Sequence, residues 1–264
     1  MCRKKDSVKG ENGKVLVLSG SLDYPGAVYL ASSAIACLRL GIDLVTIACP
    51  EKIALIINSL NPDLITFKLK GDYITSKHDK KIKELIKIND ILLIGPGLSK
   101  NKTTLNYIKK VIEKNDKIKV IDADAISAIK IQNINNSIIT CHKKEFEILL
   151  KNSKLKENQI QNKLNNNIIL LKGKQDKIIS KDKIKINKSG NEGMTVGGTG
   201  DILAGLVAGF LSMKYDLFTS SLNAAKLNGN LGDKLKKELG YGFIASDFLK
   251  EIAEESNKRG YFKW

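Results

Sequence analysis

Arginine is almost missing from this 264-residue chain. Arg3, Arg39 and Arg259 are its only members, so lysine carries nearly all of 44 basic residues against 28 acidic ones, a net charge of +16. Arginine is the better reader of phosphates and base edges. Lysine together with abundant Asn and Ile, as in the run Asn165-Asn166-Asn167, is what an A+T-rich genome encodes. The charge is therefore read as a solvated lysine surface, ahead of a nucleic-acid interface whose binding would weaken steeply with salt. Aromatics are scarce too, at 6%, and no finger or helix-turn-helix signature is present. Cysteine is limited to Cys2, Cys37, Cys49 and Cys141 with no C-x-x-C pair, which excludes a disulfide scaffold and a zinc site. No apolar signal core follows Met1, and the most apolar stretch, 202–213, is shorter than the about 20 residues of a membrane span. A cytoplasmic protein without membrane association is expected. With 42% hydrophobic and 27% charged residues, the chain is globular and long enough for a substantial core.

Short apolar runs punctuate the chain. The stretches 15–18, 43–49, 64–69, 91–94, 119–121, 138–140 and 168–171 read as strands. Several end in polar or glycine-rich turns: Ser19-Gly20-Ser21, Gly95-Pro96-Gly97, Asp122-Ala123-Asp124, Cys141-His142 and Lys172-Gly173. Helical patterns lie between them, for example 27–40 ending at Gly41, and 77–88 with Ile82, Leu85 and Ile86 on one face. This is the pattern of parallel strands with helical crossovers. A small hairpin is expected at 178–180 and 184–186, and helices at 200–213, 217–238 and 245–256. His78, in a polar stretch, reads as a surface residue. With no repeat, linker or composition shift, residues 1–264 form one α/β domain with a polar extension over about 1–13. In open α/β sheets ligands bind beyond the carboxyl ends of the strands, so the strand-end residues are candidates as a set.

The densest chemistry lies in Gly190-Asn191-Glu192-Gly193-Met194-Thr195-Val196-Gly197-Gly198-Thr199-Gly200-Asp201, followed by a small-residue apolar helix. Glycines let backbone N–H groups converge, and the helix N-terminus adds positive potential, which together make an anion hole for phosphate. Asp201 would lie beside a transferring phosphoryl group and accept a proton from an attacking hydroxyl. The plainer reading is a flexible loop with Asp201 as an N-cap. No Walker lysine follows the glycines, and the spacing is not a dinucleotide G-x-G-x-x-G.

Gly197-Gly198-Thr199-Gly200-Asp201 with Ile202-Leu203-Ala204-Gly205 resembles the anion-hole motif of the ribokinase-like superfamily. Further segments narrow the likeness: Gly20-Ser21, Tyr24-Pro25-Gly26-Ala27, Gly41, Leu44-Val45-Thr46, Ile94-Gly95-Pro96-Gly97-Leu98, Asp122-Ala123-Asp124-Ala125, Thr140 with His142 and Glu145, Leu171-Lys172-Gly173, Gly190-Asn191 with Gly193-Met194, and Ala245-Ser246-Asp247. In this order, from about Lys14 to Asp247, they are similar to the NAD(P)H-hydrate dehydratase family.

The resemblance implies a ribokinase-like three-layer sandwich with a mostly parallel sheet. It implies an ADP-dependent hydro-lyase that phosphorylates the hydroxyl of the S form of hydrated NADH or NADPH (NADHX or NADPHX). Phosphate then leaves, so the reduced nucleotide returns with AMP and phosphate as by-products. ADP, or ATP in related enzymes, is the co-substrate and Mg²⁺ the cofactor. Asp201 is then the base, with Gly198, Thr199 and Gly200 as the anion hole. Ala27, Gly97, His142 and Asp201 contact the hydrate. Lys172, Gly173, Lys174, Gln175, Asp176 and Gly200 hold the nucleotide. Read from the residues alone, Gly97 is equally a strand-ending turn, His142 a structural histidine and Lys172 a side chain snorkelling from a strand end. Asp122 and Glu145 are metal candidates, Glu145 through a magnesium–water shell or else as a first-turn helix acid. Asp124 is read as capping the next helix. The chain departs from the family at Cys141, where proline is usual, and at Lys143-Lys144, where Pro-Gly is usual, so a looser loop after His142 is expected. No epimerase domain fits before Lys14; the epimerase is expected on another polypeptide, and the chain is expected to form a homo-oligomer, a tetramer by analogy. The runner-up is a small-molecule kinase of the same superfamily, for hydroxyethylthiazole or hydroxymethylpyrimidine.

Overall fold

A computed structural model describes residues 6–22, 26 and 38–261. Ala27, Tyr24, Pro25, Cys2, Cys37 and most of the expected 27–40 helix lie outside the described residues; its end, Leu38–Leu40, is a single 3-10 turn before Gly41 at φ +76°.

The strands are β1 (Lys14–Leu18), β2 (Leu44–Pro50), β3 (Ile65–Leu69), β4 (Ile91–Ile94), β5 (Ile118–Asp122), β6 (Ser137–His142), β7 (Asn167–Lys172), β8 (Asp176–Ile179) and β9 (Ile184–Asn187). They form one sheet in the order β3-β2-β1-β4-β5-β6-β7-β8-β9. Neighbours from β3 to β7 are parallel, and the hairpin β8–β9 closes the edge antiparallel. The uninterrupted apolar runs follow from burial on both faces. In β1, Val15 and Val17 pack on one side while Leu16 and Leu18 pack on the other.

The helices are α1 (Glu51–Leu60), α2 (Asp79–Ile88), α3 (Lys102–Glu113), α4 (Lys143–Ser153), α5 (Glu157–Ile160), α6 (Thr199–Ser212), α7 (Leu217–Leu239) and α8 (Ala245–Lys258). One face of the sheet carries α1, α6, α7 and α8; the other carries α2, α3 and α4. The result is the expected three-layer sandwich. Helix α6 is buried along almost its whole length, because it lies between the sheet and α7. That explains a sequence apolar on all sides. Between β5 and β6 the crossover is not an α-helix but two 3-10 turns, Ala123–Ala128 and Ile131–Asn133. Among the described residues no helix is long and apolar enough to cross a membrane.

The topology reverses at β1 and β4, where the chain returns to the other side of β1. All the parallel strands present their carboxyl ends to one edge. The glycine-rich loop also arrives at that edge, so α6 begins above the ends of β5 to β7.

Candidate active site

The glycine-rich loop is held from two sides. At its end, Gly198 is the N-cap of α6 at φ +97°, a conformation costly for any side chain. Thr199 Oγ1 then donates to the carbonyls of Met194 at 2.8 Å and Val196 at 3.2 Å. The first N–H groups of α6 have no intrahelical acceptor and point out of the helix start. At the loop's entry, Asp233 of α7 accepts from Gly190 N at 3.0 Å and Asn191 Nδ2 at 3.1 Å. Asn191 caps the 3-10 turn Glu192–Thr195 by accepting from Gly193 N. Gly229 and Gly232 lie one turn apart on α7 and let Ser189 and Met194 approach closely. Outside, Glu192 meets Lys236 at 2.7 Å and also the hydroxyl of Tyr241. Sequence reasoning missed Asp233; the spacing of Gly229 and Gly232 was the signal for a close approach.

Beneath the loop lies a cluster of charges. Asp122, at the end of β5, is buried, and its Oδ1 pairs with Lys172 Nζ from the end of β7 at 2.9 Å. A β-carbon on Gly200 would lie 3.4 Å from that ammonium. Asp201 stands in the first turn of α6, three residues beyond the N-cap, so it is not itself the cap. Burial chiefly, then the negative charge of Asp122 and to a lesser degree Glu145, pushes the Asp201 carboxyl up to about 7, against the pull of Lys172. Glu145 is raised by burial and by Asp122, with Lys172 opposing. Lys172 is itself held above the usual lysine range: burial works against its charge, but Asp122 and Glu145 outweigh it.

The remaining candidates fall around this cluster. His142 is exposed and forms the N-cap of α4: His142 N donates to Glu145 Oε2 at 2.8 Å, and Glu145 N donates to His142 Nδ1 at 3.2 Å. The expected loose loop does not exist, because Lys143 and Lys144 start the helix directly. Glu145 is thus a first-turn acid close to the charge cluster. Gly173, Lys174 and Gln175 form an exposed turn, closed by Gly173 N donating to Asp176 Oδ1 at 3.2 Å. Burial raises the Asp176 carboxyl, and its other oxygen accepts from Asn187. Gly97 is buried at φ +67° in the turn after β4. That turn is pinned by Leu98 N donating to Gly95 O and by Ser19 Oγ donating to Pro96 O. Gly95 cannot carry a side chain: at φ +133° its β-carbon would fall 1.8 Å from the carbonyl of Asp122.

Two further expectations fail locally. Asp124 caps nothing; it sits inside the 3-10 turn that Asp122 precedes, and its carboxylate accepts from Ser99 N. His78 is buried, not on the surface. Its ring accepts from Thr75 N and its Nε2 donates to Lys70 O, so both nitrogens are satisfied inside a turn whose neighbours are polar. Cys49 and Cys141 are buried free thiols, with burial raising both far from the reactive range. Among the described residues no group of three or more His, Cys, Asp or Glu side chains is arranged to hold a metal ion. A cavity of about 410 Å³, lined in part by Asn136, Asn166, Lys183 and Phe218, opens at the opposite, amino-terminal edge of the sheet and contains none of these residues.

Helix-start amides, an ammonium in place and a carboxyl poised near neutrality can together take a phosphoryl group and remove a proton from a hydroxyl. Known proteins point the same way. The family model for NAD(P)H-hydrate dehydratase matches residues 15–254. The bifunctional NAD(P)H-hydrate repair enzyme Nnr of Methanocaldococcus jannaschii is 39% identical over 255 residues, which are 95% of this chain and 50% of that protein. The ADP-dependent (S)-NAD(P)H-hydrate dehydratase of Nitrosopumilus maritimus is 34% identical over 263 residues, 95% of this chain and 91% of that one. The chain thus spans about half the length of the bifunctional relatives and nearly all of the shorter one. Among solved structures, the ADP/ATP-dependent NAD(P)H-hydrate dehydratase of Bacillus subtilis, co-crystallised with ATP and Mg²⁺, superposes with a TM-score of 0.78 at 25% identity, covering 97% of this chain and 93% of that one. A ribokinase-like superfamily protein of Enterococcus faecalis does so with a TM-score of 0.82 at 25% identity, covering 98% and 91%. Matched across its sheet, its glycine-rich loop and its last helix, the chain belongs to the NAD(P)H-hydrate dehydratase family.

Proposed function

We propose that the chain restores NADH and NADPH by ADP-dependent dehydration of the S form of their hydrates. The observation that carries this reading is Asp201: a carboxyl raised to about 7, at the start of α6, beside the Lys172–Asp122 pair. A base works best when its pKa lies near the working pH. Asp201 takes the proton from the ring hydroxyl as that oxygen attacks the terminal phosphoryl group of ADP, and AMP leaves. The amides of Gly198, Thr199 and Gly200, with the ammonium of Lys172, face the charge that the phosphoryl oxygens carry. The ring carbon–oxygen bond then breaks, the phosphate departs with the bonding electrons and takes up the proton released from the neighbouring ring carbon, and the double bond is restored. The exposed turn Gly173–Gln175 and Asp176 border the nucleotide, while Gly97 and His142 border the hydrate, with Ala27 assigned there by family motif.

Magnesium fits this chemistry through hard oxygen donors, the phosphates first and a carboxylate second. Asp122 is buried and paired with Lys172, whereas Glu145, whose Oε2 accepts from His142 N, is the neighbouring carboxylate that would offer its other oxygen to the ion or its waters. When bound, the ion offsets phosphate charge.

The test is incubation with hydrated NADH or NADPH and either ADP or ATP. Recovery of the reduced-nicotinamide absorbance, strongest with ADP, is expected. A stable phosphorylated product without recovery would instead make the chain a kinase.

A further inference from the structure

Lys172 does not sit above its own strand. In the sheet register Asp122 of β5 lies opposite Thr140 of β6, and Thr140 lies opposite Leu170 of β7, two residues before Lys172. Partnered residues, and residues two apart on a strand, share a face. Asp122, Thr140, Leu170 and Lys172 therefore project to the same side. The lysine leans back diagonally over β6, across the small side chain of Thr140, to reach the carboxylate at 2.9 Å. The Asp122 side chain is 2% exposed and that of Lys172 19%. The position that results is specific, because the ammonium comes to rest under Gly200 in the first turn of α6.

We infer that Asp122 is a positioning residue, which fixes the Lys172 ammonium against the amide cradle so that it meets the nucleotide phosphate already in place. A free lysine side chain loses rotamer entropy when it is ordered. Here the ion pair has ordered it before the nucleotide arrives, and the carboxylate supplies the countercharge that a buried ammonium needs. The rival role for Asp122 is metal ligation. Against it stand the burial of the carboxylate and its commitment to an ammonium. The Lys172 ammonium stays protonated through the working range, because Asp122 and Glu145 outweigh its burial. The inference rests on the nucleotide-dependent reading above.

The experiment compares the full-length chain with Asp122→Asn, Lys172→Met and the double variant. It measures ADP affinity by calorimetry, the KM for ADP at saturating Mg²⁺, and the Mg²⁺ concentration for half-maximal rate. Loss of one charge-assisted hydrogen bond to phosphate should weaken ADP binding at least about tenfold in Lys172→Met. Asp122→Asn should raise the KM for ADP by a similar factor with a much smaller change in kcat and an unchanged Mg²⁺ requirement. The double variant should bind ADP no worse than Lys172→Met, because Asp122 acts through that lysine. Should Asp122→Asn leave its unpaired ammonium unable to fold, the double variant, which removes both charges, still decides. ADP binding about tenfold weaker than in Lys172→Met would overturn the inference. A raised Mg²⁺ requirement in Asp122→Asn at unchanged KM for ADP would overturn it in favour of metal ligation. If the wild-type chain binds ADP but restores no NADH, the functional reading fails, and the affinity comparison still tests the role of Asp122.

Discussion

Asp201→Asn removes one charge with almost no change in volume, and it should affect stability and turnover in opposite directions. The carboxyl titrates near 7 in the fold, against an ordinary value of 3.8. That difference corresponds to about 4 kcal/mol between its protonated and ionised forms. The folded chain holds this proton more tightly than the unfolded chain does. Below about pH 4 both states carry it, and the group is neutral to stability. As pH rises from about 4 to about 7 the unfolded chain releases the proton first, so stability falls. Above about 7 the whole cost is present. Asparagine has no such term. Urea melts should therefore show a gap in favour of Asp201→Asn that is smallest in acid and grows to a few kcal/mol by about pH 8. Turnover should fall about a hundredfold or more while ADP affinity is retained, since the base is gone and the cradle remains. In the wild type the acid limb of kcat/KM should lie near pH 7. Near-normal turnover in the variant would remove Asp201 from the base role. A stability gap independent of pH would refute burial as the origin of its high pKa. The expected trade of stability for activity is common where a site holds an ionisable group in an unfavourable environment.

Three further outcomes can be checked independently. Gly200→Val would place its β-carbon 3.4 Å from Lys172 Nζ and its methyl groups in the phosphate cradle, so calorimetry should show ADP affinity reduced by about tenfold or more. Asp233→Ala would free Gly190 N and Asn191 Nδ2, at about 1 kcal/mol for each lost bond. It should lower kcat several-fold and speed hydrogen exchange of the loop amides; unchanged exchange would mean that α7 does not hold the loop. Lys119→Met tests a buried lysine whose pKa burial lowers to about 8 and whose one hydrogen bond is to Asn135 O at 2.9 Å. The fold prefers its neutral form, so the penalty is present below about pH 8 and fades as pH rises toward the unfolded value of 10.5. After allowance for the lost bond, urea melts should find methionine more stable by about 2 kcal/mol at neutral pH, with the gap closing in alkali.

The parallel strands were readable because two-sided burial writes itself as unbroken Ile, Leu and Val, as in Ile91-Leu92-Leu93-Ile94. The turns after them were readable because glycine and aspartate mark strand ends. From its composition the glycine-rich loop was readable as a tight turn into a helix start, which the structure has at Gly198, whereas the roles proposed for Ala27, Gly97 and His142 rest only on the resemblance. What stayed hidden depends on contacts between distant residues. Asp233 meets Gly190 and Asn191 across more than forty positions, and α7 shows only ordinary helical spacing there. His78 looked exposed because Lys77, Asp79 and Lys80 surround it, yet its ring satisfies two backbone groups within the turn. Lys143 and Lys144 looked like a weakened loop. The capping box of His142 and Glu145 lets α4 begin at once and needs no proline.

Two lysines in a chain of net charge +16 are drawn out of solvent at strand ends, Lys119 almost completely and Lys172 to 19% side-chain exposure. Lys119 lies near the amino end of β5, where a single carbonyl receives its ammonium and Asp116 is the charge that favours it; burial wins, and its pKa falls. Lys172 lies at the carboxyl end of β7, where Asp122 and Glu145 outweigh burial and its pKa rises. The difference is one of partners and of which edge of the sheet each lysine reaches. At the amino edge a buried cation with one carbonyl partner costs stability. At the carboxyl edge the same side chain, supplied with a countercharge and set under the helix start, remains a cation where the proposed reaction places a phosphate. Most of the lysines need no such explanation, because exposed ammonium groups stay hydrated and screened. The chemistry of the site thus turns on how one lysine is paired, and the excess of positive charge around it does not bear on that pairing.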